Sequence, residues 1–120
     1  MQNEFRYFRE KEFECKCGCG QSKMYHHFMQ KLEIARGIAK TPFHINSGYR
    51  CHIHNSNIGG SSTSSHPKGV AADIKCIDDS LRWTIVEALK KAGFTRIGCK
   101  TTFIHVDDDI HKTQKVLWIY

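Results

Sequence analysis

Two short runs of this chain alternate between apolar side chains and side chains that carry chemistry. Over residues 70–76, Val70, Ala72 and Ile74 interleave with Ala71, Asp73 and Lys75; over 103–107, Ile104 and Val106 interleave with Phe103, His105 and Asp107. Successive side chains of a β-strand point to opposite faces, so this pattern demands a sheet with one face on a core and the other turned away from it. With the apolar set on the core, Asp73 and His105 share the second face.

Such a sheet needs a covering layer, and two amphipathic stretches supply it. Between about residues 22 and 40, Met24, Phe28, Met29, Leu32, Ala35 and Ile38 recur at three- and four-residue steps, the signature of one buried helix face. Asp79 and Ser80 offer N-cap chemistry for a second helix, whose stripe is Leu81, Ile85, Ala88, Leu89 and Ala92 and whose stop is Gly93. Further β-type runs lie at 43–46, 96–99 and 116–120. The expectation is an α+β fold with a small, mainly antiparallel sheet and two principal helices. At 120 residues the chain is long enough for one core, so residues 1–120 are expected to form a single domain.

The charge balance, 18 Lys and Arg against 12 Asp and Glu, favours an anionic partner such as a nucleic acid, a lipid surface or a wall polymer. The basic residues are scattered and form no recognition motif, which sets nucleic acid aside. No run approaches the roughly 20 apolar residues of a membrane span. The segment Met1-Gln2-Asn3-Glu4-Phe5-Arg6-Tyr7 lacks an apolar signal core, so the expectation is synthesis in the cytoplasm without an export route of its own. Neither nucleic acid nor membrane is expected as a partner, and a monomer is expected.

His66, Asp73 and His105 can serve as three metal ligands, since imidazole nitrogen and carboxylate oxygen both suit zinc. Three protein ligands leave one tetrahedral position open, as hydrolytic sites require. Spacing alone leaves equally open two surface histidines and an ordinary strand aspartate. Among the six cysteines, Cys15, Cys17 and Cys19 lie too close together to pair readily with one another, and most are expected as reduced thiols, with one disulfide open if the protein later leaves the cell. With Gly18 and Gly20 they read first as a tight turn with small buried thiols. A second metal site there needs a fourth ligand, which Cys51, Cys76 or Cys99 must bring in space. Trp83 and Trp118 are expected in the core rather than as stacking platforms, with a place beside the cleft left open for the C-terminal Trp118.

The ten residues Ser64-Ser65-His66-Pro67-Lys68-Gly69-Val70-Ala71-Ala72-Asp73 match the S-x-H-x-x-G-x-A-x-D pattern of the zinc D-Ala-D-Ala peptidases, a group that also takes in lysostaphin-type and hedgehog-type metal domains. Upstream, Ile45-Asn46-Ser47-Gly48-Tyr49-Arg50 resembles the family's I-x-S-G-Y-R segment, followed by His54-Asn55 and Gly59-Gly60. Downstream, Phe103-Ile104-His105-Val106-Asp107 resembles its third-ligand strand, and Phe13-Glu14-Cys15-Lys16-Cys17-Gly18-Cys19-Gly20 resembles the opening of a small branch. The resemblance runs over roughly residues 10 to 118.

It implies one zinc ion per chain on His66, Asp73 and His105, with Arg50 holding a carbonyl or carboxylate of the substrate and Ser64 bonding its backbone. It also implies hydrolysis of an amide beside a D-amino acid in peptidoglycan stem peptides or cross-links. The chain departs from the family at the general base, because Thr102 and Phe103 occupy the positions where many members carry Glu, Asp or His. Asp107, on the same strand face as His105, is then the candidate base, with orientation of the ligand imidazole as its other reading. The departure also motivates a rival expectation, a catalytically silent zinc module that binds wall peptides or a protein partner. Action at the bacterial wall, after holin-type release from a phage-infected cell or as a virion component, completes the expectation.

Overall fold

A computed structural model describes residues 5–120, so the first four residues of the N-terminal segment read above lie outside the described residues. Helix α1 spans His26–Ala39, α2 His52–Asn57 and α3 Asp79–Lys91; the strands are β1 Ile45–Ser47, β2 Ala71–Lys75, β3 Arg96–Cys99, β4 Phe103–Asp107 and β5 Val116–Ile119. The strands form one sheet in the order β1-β2-β4-β3-β5, antiparallel except for the parallel pairing of β3 with β5. The fold is α+β, and the sheet is mainly antiparallel, in keeping with the sequence.

Helices α1 and α3 pack together on one face of the sheet. Phe28, Met29, Leu32 and Ala35 of α1 and Ile85, Ala88 and Leu89 of α3 are buried, and they meet Ala72, Ile74, Ile97, Ile104 and Val106 from the sheet. Phe5, Phe8, Phe13, Phe43 and Phe94 close the ends of this layer. Each fully buried Leu, Ile or Phe contributes about 1.5–3 kcal/mol through removal from water. The cap of α3 is one residue earlier than expected: Asp78 accepts the Leu81 N–H at 2.8 Å, which suits an N-cap carboxylate. Helix α2 carries no apolar stripe that a sequence reading can find, since only Asn55 of its six residues is buried.

The other face is organised by a single row. Asp73 of β2 stands opposite His105 of β4, His105 opposite Gly98 of β3, and Gly98 beside Trp118 of β5. Parity therefore puts these four positions on the same side of the sheet. Trp118 is not a core residue; its ring lies over Gly98, 5.5 Å from the His105 ring between centroids. Trp83, also expected in the core, is 73% exposed on α3.

Glycine is required at position 98 because a Cβ there collides with the Trp118 indole. Gly98→Ala is expected to displace Trp118 and to cost about 1–3 kcal/mol of stability, the usual penalty for overpacking. Urea unfolding measures it, and an unchanged midpoint contradicts this packing.

Candidate metal centre

The three candidate ligands come from different parts of the fold. His66 opens a single 3₁₀ turn, His66–Lys68, in which Pro67 fixes the backbone and Gly69 reverses it at φ 74°. A Cβ on Gly69 runs into the Lys23 carbonyl, so the loop lies flush on the residues before α1 and permits no larger residue. Asp73 and His105 are neighbours across β2 and β4. The ligand-type atoms of His66, Asp73 and His105 all lie within 4.8 Å of one another, and the three residues are buried.

The donor geometry is specific. Asp73 Oδ1 is 3.3 Å from His66 Nε2 and 3.0 Å from His105 Nδ1. The remaining nitrogen of each ring is already engaged: His66 Nδ1 donates to the Gly48 carbonyl at 2.8 Å, and His105 Nε2 donates to Asp107 Oδ2 at 2.7 Å. A carbonyl can only accept, so the His66 proton sits on Nδ1 and its Nε2 lone pair faces the Asp73 carboxylate; with its proton on the Asp107 side, a neutral His105 turns its Nδ1 lone pair to the same carboxylate. Three electron-rich atoms converging in a buried space fit a cation. The edge of a tetrahedron with zinc bonds of 2.0–2.1 Å is about 3.3 Å, close to the observed separations.

Electrostatics agree with this arrangement. Burial alone raises the Asp73 carboxyl, but the hydrogen bonds and charges of His105 and His66 outweigh it and hold the group well below the usual carboxylate range. For His105, burial disfavours the charged ring, yet Asp107 and Asp73 on its two nitrogens push its pKa up. Both shifts express the demand of this cluster for positive charge.

Arg50 stands against the same carboxylate. Its Nη2 is 3.3 Å from Asp73 Oδ2, its Nε donates to Ser47 Oγ at 3.1 Å and its Nη1 to Asn55 Oδ1 at 3.2 Å. Asn55 is buried and fixed in turn by donation to the Ser61 carbonyl at 2.9 Å, so α2 exists to position the guanidinium. Ser64 Oγ accepts the His66 N–H at 3.3 Å, a loop-capping bond at the edge of the centre.

Asp107 is placed differently from an open-cleft base. Its side chain is 1% exposed; Oδ1 takes Arg96 Nε at 2.7 Å and the Asp109 N–H at 3.1 Å, while Oδ2 holds the His105 ring. Burial raises its pKa, but His105, the Asp109 N–H and Arg96 together lower it. Arg96 also lies under Trp118, 5.0 Å from the ring centroid. Phe103, Tyr120 and Trp118 continue as an aromatic flank beside His105, with centroid separations of 5.4 Å and 6.4 Å along it.

Asp109, two residues beyond β4, is buried. Its Oδ2 accepts Ser65 Oγ and Lys68 Nζ, both at 2.8 Å, and so fastens the His66 loop to the segment after β4. Ser47 and Asn55 fall in the segments that carry the resemblance, though without a role attached, while Arg96 and Asp109 carry no sequence signal of their own; only the pairing of distant segments exposes what these four do.

Two imidazoles and one carboxylate on the sheet face opposite the helices, with an arginine alongside, make a donor set that suits zinc with one position left open. The peptidase M15 family profile matches residues 6–107, and the chain belongs to this family. The chain is also similar to a zinc D-Ala-D-Ala carboxypeptidase from Streptomyces albus G, at 36% identity over 70 residues. That alignment takes in 58% of this chain and 27% of the Streptomyces protein, so the chain spans about a quarter of its relative.

Burial raises the Asp109 carboxyl, but Lys68 and Ser65 prevail and bring it from 3.8 down to about 2. A carboxyl lowered in the folded state contributes stability above its unfolded pKa and loses it as pH falls toward the folded value. Asp109→Asn is therefore expected to reduce stability at neutral pH and to flatten the decline between pH 3.8 and about 2. Urea midpoints across that window test it; parallel curves for the two proteins contradict the assignment.

Proposed function

We propose that this protein is a zinc peptidase that hydrolyses an amide beside a D-amino acid in peptidoglycan stem peptides or cross-links. The observation that carries the reading is the convergence of His66 Nε2, Asp73 Oδ1 and His105 Nδ1, with Arg50 held against the same carboxylate. Family membership and the carboxypeptidase named above support it.

Zinc, when bound by His66, Asp73 and His105, supplies a Lewis acid that polarises a carbonyl and lowers the pKa of water to about 7. The protein's own residues do the rest. The Gly48 carbonyl and Asp107 fix the ring orientations of His66 and His105, so the lone pairs need no reorganisation. Arg50, planar and permanently charged, receives a substrate carbonyl or carboxylate beside the centre. The Ser64 hydroxyl keeps a proton to donate to the substrate backbone. The flank of Trp118, Tyr120 and Phe103 offers an apolar wall to alanine methyl groups.

Of the two roles open to Asp107 in the sequence, orientation of His105 fits its burial and its three hydrogen bonds, and the role of base does not. With Asp107 enclosed and Thr102 and Phe103 unable to take a proton, the silent zinc module remains the second reading. Under the main reading the net charge of +6 suits an anionic wall, and the protein acts there as a monomer after holin-type release or within a virion.

Mass spectrometry of peptidoglycan digested by zinc-loaded protein tests the function. New fragments that disappear with a chelator and with His105→Ala are expected; no fragments from any wall chemotype, with zinc bound, contradict the peptidase reading and leave the module. Asp107→Asn is expected to weaken zinc binding about 10–100-fold and to recover turnover at saturating zinc. A loss of about 10²–10⁴-fold at saturating zinc makes Asp107 the base instead. Arg50→Lys, which loses forked hydrogen bonding, is expected to lower kcat/KM roughly 10- to 100-fold without changing zinc content.

A further inference from the structure

We propose that Cys15, Cys17, Cys19 and Cys51 form a second metal site, a closed tetrathiolate that takes one zinc ion and ties the N-terminal segment to the loop carrying Arg50. Three of these residues fall within five positions of sequence, and the fourth arrives from the start of α2, 36 residues after Cys15. All four Sγ atoms lie within 4.8 Å of one another. Cys15 Sγ is 3.4 Å from Cys17 Sγ and 3.7 Å from Cys51 Sγ, and Cys17 Sγ is 3.7 Å from Cys51 Sγ. Zinc–sulfur bonds of about 2.3 Å give a tetrahedron whose edge is about 3.8 Å. A disulfide draws its two sulfurs to about 2.05 Å, whereas the separations here are 3.4–3.7 Å and four sulfurs around one point match one ion.

The backbone is arranged for that convergence. Gly18 and Gly20 have φ of 88° and 77°, which lets the chain turn back after Cys17 and again after Cys19. The Cys51 N–H points at Cys15 Sγ at 3.3 Å, and the His54 N–H at Cys51 Sγ at 3.4 Å, so amides already face sulfurs that must carry negative charge. Soft sulfur donors select zinc over magnesium or calcium, and four protein ligands leave no position for substrate. The remaining cysteines, Cys76 and Cys99, are buried elsewhere in the core.

The site has a consequence for the first centre. Cys51 follows Arg50 directly, the Tyr49 N–H donates to the Phe13 carbonyl at 3.0 Å, and Gly48, whose carbonyl holds His66, lies flush against Phe13. An ion between Cys15 and Cys51 fixes this whole junction.

Cobalt(II) substitution of the full chain, purified under reducing conditions, tests the proposal without reference to activity. Expected are two ions per chain and an intense sulfur-to-cobalt charge-transfer band in the near ultraviolet. His105→Ala should lose one ion and keep the band, and Cys17→Ser, altered at an exposed position, should lose the band and the other ion. One ion per chain with no sulfur band in the wild-type protein overturns the site. So does an intact mass showing a disulfide among these four cysteines in the protein isolated without oxidant. Should Cys17→Ser fail to fold, the wild-type and His105→Ala spectra still decide.

Discussion

The Asp73 carboxylate is buried, ionised and faced by two imidazoles and a guanidinium, and much of the fold serves to make that tolerable. An isolated buried charge is expensive, and it persists only where hydrogen bonds and opposite charge surround it. Here β4 delivers His105 from across the sheet, the Pro67–Gly69 turn delivers His66 from above, and α2 delivers Arg50 through Asn55. A second ring of contacts holds those partners: Gly48 on His66, Asp107 on His105, and Arg96 between Asp107 and Trp118. These contacts fix where the donor atoms point, which is what electrostatic preorganisation requires.

The sheet's two faces divide the labour. The apolar face carries the stability of the domain through α1 and α3, while the opposite face carries one row of chemistry from Asp73 through His105 and Gly98 to Trp118. Because side chains alternate, the same strands serve both purposes without compromise, and a slip of one residue in register exchanges core and site. Polar locks just beyond the end of β4 reinforce the register. Asp109 clamps Ser65 and Lys68, and Lys31 of α1 reaches Asp108 at 2.9 Å.

Much of this is legible in the letters. Alternation in 70–76 and 103–107 places Asp73 and His105 together, and helical periodicity finds α1 and α3 because their apolar stripes repeat over several turns. The ligand set stands out only through the ten-residue motif, since a histidine and an aspartate seven apart are common. Other features are silent for physical reasons. Helix α2 is six residues long and polar, so periodicity cannot mark it. Trp118 looks like core because its strand is apolar, yet parity with Gly98 turns it onto the site. Asp107 and Asp109 look alike in sequence as parts of an acidic run, but Arg96 buries one and Lys68 the other. Cys51 joins the N-terminal cysteines only once the chain has folded.

The most direct test of the central claim is anomalous diffraction at the zinc edge from crystals of the zinc-saturated protein. The account places an ion bonded to His66 Nε2, an Asp73 oxygen and His105 Nδ1 at about 2.0–2.2 Å, with Asp107 still on His105 Nε2. An empty space between these three residues in protein that has taken up zinc, or an ion bound through His105 Nε2 with Asp107 displaced, contradicts it.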